Sequence, residues 1–257
     1  MSNTLKASPL KGIEVGSPQY FDIQKQLIRS RPLLKHCYDD WYRRLNADSQ
    51  SVTTKGLLVE LGSGGSLLNE VIPNLLTSDV VEGVADQVID ARQLPFEDQS
   101  VKALFLTHVF HHIPDIRAFL NEARRVLVPG GVISMIEVAH TPLAKFIFKN
   151  FHPEPYDDKT PNWEFNQNDS MMDSNQAMSW NVFFRDRQIF EQGFPNLVLG
   201  KPSYTPWLSY LLSGGVTKAS PLPNFLAPGV ELLEKPLKLL SPICALHWHL
   251  CIRKKAE

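Results

Sequence analysis

The stretch Val59–Leu68, VELGSGGSLL, sets three glycines and two serines in five positions directly behind a short apolar run, LLVEL. Glycine has no side chain, so a strand that ends in such a hinge and opens into a helix lets the main chain approach a ligand and offers it backbone N–H groups. A dinucleotide cradle would read G-x-G-x-x-G. Counted from Gly62, its third glycine would fall on Leu67, so the nicotinamide pattern fails there. What remains is an acid followed by two spaced glycines and small residues: Glu60, Gly62, Ser63, Gly64 and Ser66.

On both sides of the hinge the apolar residues follow two alternating periods. LLVEL, NLLTSD, QVID, KALFLTHV and VISMIEVA are short apolar runs of the kind buried in a parallel sheet, and SLLNEVI reads as a short helix stopped before Pro73. The segment DIRAFLNEARRVLVPGG is the clearest helix. Ile116, Phe119, Leu120, Ala123 and Leu127 share one face, Asp115 can cap its start and Gly130 can end it. Strands alternating with helices predict an α/β, doubly wound, mostly parallel sheet.

Upstream, Leu27, Ile28, Leu34, Cys37, Trp41 and Leu45 recur at helical steps and predict two helices broken at Pro32, with NADSQSVTTKG as a linker. The chain then divides into an N-terminal arm and helical extension (1–54), a ligand-binding core (55–140), a lid loop and helix (141–195), and the last strands with an inserted hydrophobic cap near 203–242 (196–257). The lid is the polar, aperiodic tract 152–175, and FRDRQIFEQGFP resumes a helix that ends at Gly193. The cap is apolar but broken by proline and glycine. It reads either as a unit packed on its own core or as an element that covers a hydrophobic acceptor or touches a membrane carrying one.

The chain has 257 residues, 43% of them hydrophobic, enough for a full core without staples. Its 26 Lys+Arg balance 27 Asp+Glu, and a net charge of -1 argues against a nucleic-acid partner. Three cysteines without a CxxC pair suit a reducing compartment. The first twenty residues lack the apolar core of a secretory signal, and no apolar run reaches about 18 residues, so a cytoplasmic protein is expected.

The residues from ELGSGGS onward resemble the class I S-adenosylmethionine-dependent methyltransferases, in particular the broad group of quinone-biosynthesis and small-molecule enzymes. The likeness covers roughly residues 55–140, and DARQLPFEDQSVKALFLTHVFHHIPDIRAFLNEARRVLVPGG carries it more specifically than the glycines do. It implies a Rossmann-like, seven-stranded sheet with N-terminal helices and an inserted cap, S-adenosylmethionine as cofactor, and a small-molecule or lipid-like acceptor. It also implies that Glu60, Gly62, Ser63 and Gly64 form the first cofactor motif, that Asp79, 19 residues after Glu60, meets the ribose, and that Asp90 and Ala91 hold the adenine edge. Besides Ser66 in place of the family's third glycine, two departures stand out: His108 stands where relatives often carry Asp or Asn, and ten residues between Asp79 and Asp90 leave no room for the usual helix. The adenosine side is then more open, or closed by another segment.

His108 ends the fourth predicted strand, where the substrate should sit, and is the candidate general base for a hydroxyl acceptor. His111 and His112 in FHHIPD read as structural. Glu137 lines the cleft or caps it, and His140 and His152 flank the lid. His247, His249 and Cys251 share one face of the last predicted strand, ALHWHLCIRK, but lack a fourth ligand, so no metal is expected there. A methyltransferase-like binding or scaffold protein without turnover is the alternative function.

Overall fold

The computed structural model describes residues 8–166 and 173–256. Two helices, α1 (Pro18–Ser30) and α2 (Pro32–Gln50), precede the sheet. They break where sequence predicts, because Pro32 occupies the first turn of α2 and Arg31 is left extended. The expected linker is shorter than predicted, since α2 runs on through Asn46–Gln50.

The core strands follow: β1 (Leu57–Leu61), β2 (Leu75–Asp79), β3 (Gln87–Val88), β4 (Val101–Thr107) and, after helix α3 (Ile116–Val126), β5 (Leu127–Val138). Helices α4 (Pro142–Phe151), α5 (Met178–Trp180) and α6 (Arg187–Gly193) lead to strands β6 (Leu197–Leu199) and β7 (Ser203–Tyr204). The cap is helical, with α7 (Leu208–Ser213), α8 (Ala227–Leu237) and α9 (Ser241–Cys244), and β8 (His247–Lys254) closes the sheet. The order is β3-β2-β1-β4-β5-β8-β6, with β7 also paired to β8. The pairs among β1 to β5 are parallel, and β8 runs antiparallel to β5, β6 and β7. The expected doubly wound sheet is present, with eight strands among the described residues because Ser203–Tyr204 adds to β8.

Two local expectations need correction. SLLNEVI forms only a single 3-10 turn at Leu68–Glu70. The Leu67 N–H is taken by the Tyr42 hydroxyl at 2.7 Å and the Leu68 N–H by Ser66 Oγ at 3.1 Å, and Pro73 follows too soon for an α-helix to develop. Gly130 does not end α3 either. The helix stops at Val126 because Leu127 already pairs with Val101 in the sheet, and Gly130, at φ +77°, turns within the first residues of β5. Asp115 does cap α3, accepting the Ala118 N–H at 2.9 Å, and Ile116, Phe119, Leu120, Ala123 and Val126 are buried on its inner face.

Apolar layers cover both faces of the sheet. One holds α3, Phe183 and Phe190; the other centres on Trp41 of α2. The N-terminal helices also anchor the cap. Arg31 donates to the carbonyls of Ser213, Gly215 and Lys218, Leu33 packs on Ala227 and Val230, and buried Glu234 accepts the Leu208 N–H at 2.8 Å at the start of α7. Residues 152–166 are without regular structure apart from an isolated bridge at Glu164, yet Trp163 is buried against the core; residues 167–172 of the expected lid lie outside the described residues.

Candidate active site

The sheet order reverses between β1 and β4, and at the carboxyl ends of the parallel strands there lies a cavity of about 810 Å³. Its lining includes the last residues of five strands or their neighbours, Leu61, Asp79, Val88, Thr107 and Val138. Gly62, Ser63, Gly64, Asp79, Asp90, Ala91 and His108 all line it, so the topology gathers seven of the eight residues singled out from sequence. The eighth, Glu60, is the last residue but one of β1, is absent from the lining and is 1% exposed.

The hinge supplies space more than donors. Gly62 (φ +63°) sits so close to Val109 that a Cβ would lie 2.6 and 2.8 Å from its methyl carbons, and a Cβ on Gly64 (φ +42°) would lie 2.9 Å from the Phe21 ring. The N–H groups expected to be free are mostly engaged: Ser63 donates to Ser78 O, Gly64 to Asp79 Oδ2, Ser66 to Ser63 O and Leu67 to Tyr42. This corrects the expectation of an open N–H cradle, and it follows from replacement of the hinge helix by a tight turn.

Asp79 bridges two loops, accepting from Gly64 N–H at 2.9 Å and from Val81 N–H at 3.0 Å; burial pushes its carboxyl up, partly offset by these bonds. Asp90 is half exposed and paired with Arg92, which holds its carboxyl below the usual range. The missing helix between β2 and β3 is compensated by another segment. Tyr20, Phe21 and Gln24 of α1 line the opposite wall, and Val84 packs with the α1 cluster.

The far end of the cavity is lined by histidines. His108 follows β4 at φ +59°, a conformation rare for a side-chain-bearing residue, and its N–H donates to Ile136 O. Its ring is 5.2 Å from Trp41 and 4.6 Å from His247, and its buried Nε2 has no partner. Burial holds its pKa down to about 4, so the ring is neutral near pH 7.

His111 faces the cavity but is also clamped: Nδ1 lies 2.6 Å from Glu137 Oε2 and Nε2 3.4 Å from Glu154 Oε2. Burial opposes its charge, but the two carboxylates outweigh burial and push its pKa up to about 10. Glu137 is fully buried and also accepts the Phe110 N–H, so it supports the site from behind rather than lining it. His112, His152 and His247 join the lining; His140 instead stacks on Trp180 and bonds Asp158, and His249 bonds Asp48. Sequence reasoning missed Glu154, Gln176 and the α1 residues, because an aperiodic loop and a distant helix carry no local signal of meeting here.

The sequence profile described as "Methyltransferase domain" matches residues 64–135, the segment that runs from the hinge through α3 into β5. That segment is similar to methyltransferase domains. Among curated proteins, the ubiquinone/menaquinone biosynthesis C-methyltransferase UbiE of Bartonella henselae is 32% identical over 123 residues, 44% of each chain. The chain spans less than half the length of the curated relatives it matches.

Two solved structures share the architecture around this domain. One belongs to the Haloferax volcanii complex between the Trm112 methyltransferase activator and its methyltransferase: TM-score 0.51, 14% identity, 92% of this chain and 96% of that one. The other is the geranyl diphosphate C-methyltransferase of Streptomyces coelicolor, solved with Mg2+, geranyl diphosphate and S-adenosyl-L-homocysteine: TM-score 0.50, 15% identity, 98% and 92% coverage. At these identities the likeness shows the fold alone, a mostly parallel, Rossmann-like sheet. Among the described residues no helix is long and apolar enough to cross a membrane.

Proposed function

We propose that this chain binds S-adenosylmethionine in the cavity and transfers its methyl group to a small or amphipathic acceptor held at the histidine-lined end. The observation that carries the reading is one continuous cavity that joins the hinge, Asp79, Asp90 and Ala91 to His108. Its volume of about 810 Å³ is at the upper part of the range of small-molecule sites, room for a cofactor beside a second molecule. An internally bonded hinge supports a ligand without a pyrophosphate, since phosphate needs the N–H groups that are engaged here.

In the proposed reaction the acceptor atom attacks the methyl carbon as the carbon–sulfur bond breaks. The bonding pair stays on sulfur, which leaves as a thioether. Catalysis then rests on alignment and exclusion of water. Asp79 and the hinge set the cofactor end, and α1 closes over it. For a hydroxyl acceptor the proton goes to a base, and His108 presents a neutral ring with an unpartnered Nε2 in the cavity. His108→Ala is expected to lower kcat about tenfold to a hundredfold, the modest end of general-base effects, while S-adenosylhomocysteine affinity stays near that of the parent. Unchanged turnover would remove His108 from the chemistry.

Transfer of labelled methyl from S-adenosylmethionine to a panel of hydroxylated quinones and prenylated acceptors tests the reading. Cofactor binding with no transfer to any of them would favour the alternative, a binding protein without turnover. The cap's outer face supports a lipid-like acceptor: Phe225, Leu232, Leu233, Leu239 and Ile243 are all exposed, and Val216 and Thr217 between α7 and α8 line the cavity. Each leucine that enters an interface contributes about 1 to 2 kcal/mol. Leu232→Glu with Leu239→Glu should therefore reduce co-sedimentation with phospholipid vesicles by tenfold or more without lowering thermal stability. Equal sedimentation of parent and variant would disprove membrane contact through this face.

A further inference from the structure

We propose that His111, His112 and Glu154 form a site for a divalent first-row transition-metal ion at the acceptor end of the cavity. One ligand atom from each falls within a span of 4.8 Å, although the residues come from two separate chain segments. Glu154 Oε2 lies 3.4 Å from His111 Nε2 and 3.6 Å from His112 Nε2. A tetrahedral ion with bonds of about 2.0 to 2.1 Å sets its ligand atoms about 3.3 Å apart, which both distances to Glu154 approach, while the two imidazole nitrogens lie within 4.8 Å of each other.

The surroundings fit a coordinated histidine. Glu137 sits 2.6 Å from His111 Nδ1, and a proton donated there leaves the Nε2 lone pair facing Glu154. That carboxylate–histidine pairing is what orients an imidazole ligand and raises its basicity. A proton on His111 would also neutralise Glu137 and Glu154, but it would leave other atoms unsatisfied. His112 Nδ1 is buried without a partner, and so is Oε1 of Gln176, whose amide nitrogen lies 3.2 Å from His111 Nε2. An ion on His112 Nε2 leaves that Nδ1 as it is, but rotation of the Gln176 amide offers its orphaned oxygen as a further ligand.

Two imidazoles and one carboxylate suit zinc, cobalt or ferrous iron. They do not suit magnesium, which takes oxygen ligands. All three residues line the cavity, so the open coordination position faces the acceptor space, where it would take a hydroxyl or carbonyl oxygen. That last role rests on the methyl-transfer reading; the metal site itself does not.

The test loads the chelator-treated full chain with Co2+ and records stoichiometry and the visible ligand-field bands of low-coordinate cobalt. One tightly bound cobalt per chain is expected, displaced by Zn2+, with affinity reduced tenfold to a hundredfold or more in His112→Ala and in Glu154→Gln, which keeps the shape of the side chain. A folded parent, verified by circular dichroism, that takes up no cobalt overturns the proposal, and so does cobalt that binds both variants as it binds the parent. S-adenosylhomocysteine titration of the same metal-free samples reports on the cofactor reading separately.

Discussion

Gly62→Arg should abolish S-adenosylhomocysteine binding in calorimetric titration while the protein remains folded. Gly62 holds φ +63°, and its Cα faces Val109 so closely that even a Cβ would lie 2.6 Å from a methyl carbon. The positive φ costs about 1 to 2 kcal/mol for a residue with a side chain, which a domain of this size can absorb. The backbone fixes the Cβ against Val109, so Val109 or the hinge must shift to admit it, and the rest of the arginine fills space beside the hinge that a cofactor would occupy. A loss of affinity of at least a hundredfold is expected. Gly130→Ala separates strain from obstruction: Gly130 has φ +77° but open space around it, so that variant should lose stability and keep its affinity. Full binding by the arginine variant would place the cofactor elsewhere.

Glu60→Gln should remove a loss of stability that the parent shows between about pH 4.5 and 7. Burial pushes the Glu60 carboxyl up to about 7 from an ordinary 4.5, the hydroxyls of Ser66 and Ser63 offset part of that, and the Asp79 charge adds to it. Its buried Oε1 has no partner, so the ionised form is only partly compensated. For an acid whose folded pKa lies above its unfolded value, the folded state binds the proton more tightly. The stabilisation is complete below the unfolded pKa and is lost as pH rises through the folded one. The shift corresponds to about 3 kcal/mol. Denaturant titrations of both proteins at pH 5 and pH 8 measure it: the parent should lose about that much more than the variant. Parallel losses would mean that water or a neighbour already stabilises the carboxylate.

Local rules identified the strands around the hinge, the capped helix after Asp115 and the hinge glycines, because period, caps and glycine positions are all near-neighbour properties, whereas Asp79, Asp90 and Ala91 followed from the likeness to the methyltransferases. The same rules misread the residues after the hinge. SLLNEVI has helical composition, yet Tyr42 from α2 takes the N–H of Leu67 and only a 3-10 turn forms. Gly130 likewise looks like a helix stop, but the pairing of Leu127 with Val101 ends α3 first. In each case a partner distant in sequence outcompetes a local preference worth about 1 kcal/mol or less per residue.

By itself the sequence determined the doubly wound sheet and the place of the hinge at the end of β1, since alternating periods are written into the segments around the hinge, and its motifs carried the methyltransferase likeness of residues 55–140. Only the tertiary structure decided what faces the hinge. It brought α1 over the side left open by the short β2–β3 connection, left Glu60 buried outside the cavity lining, and set Glu154 against His111 and His112. The reason is that these meetings depend on chain closure over long separations, and a buried carboxylate is specified by the partner or proton it finds in the fold rather than by the residues beside it.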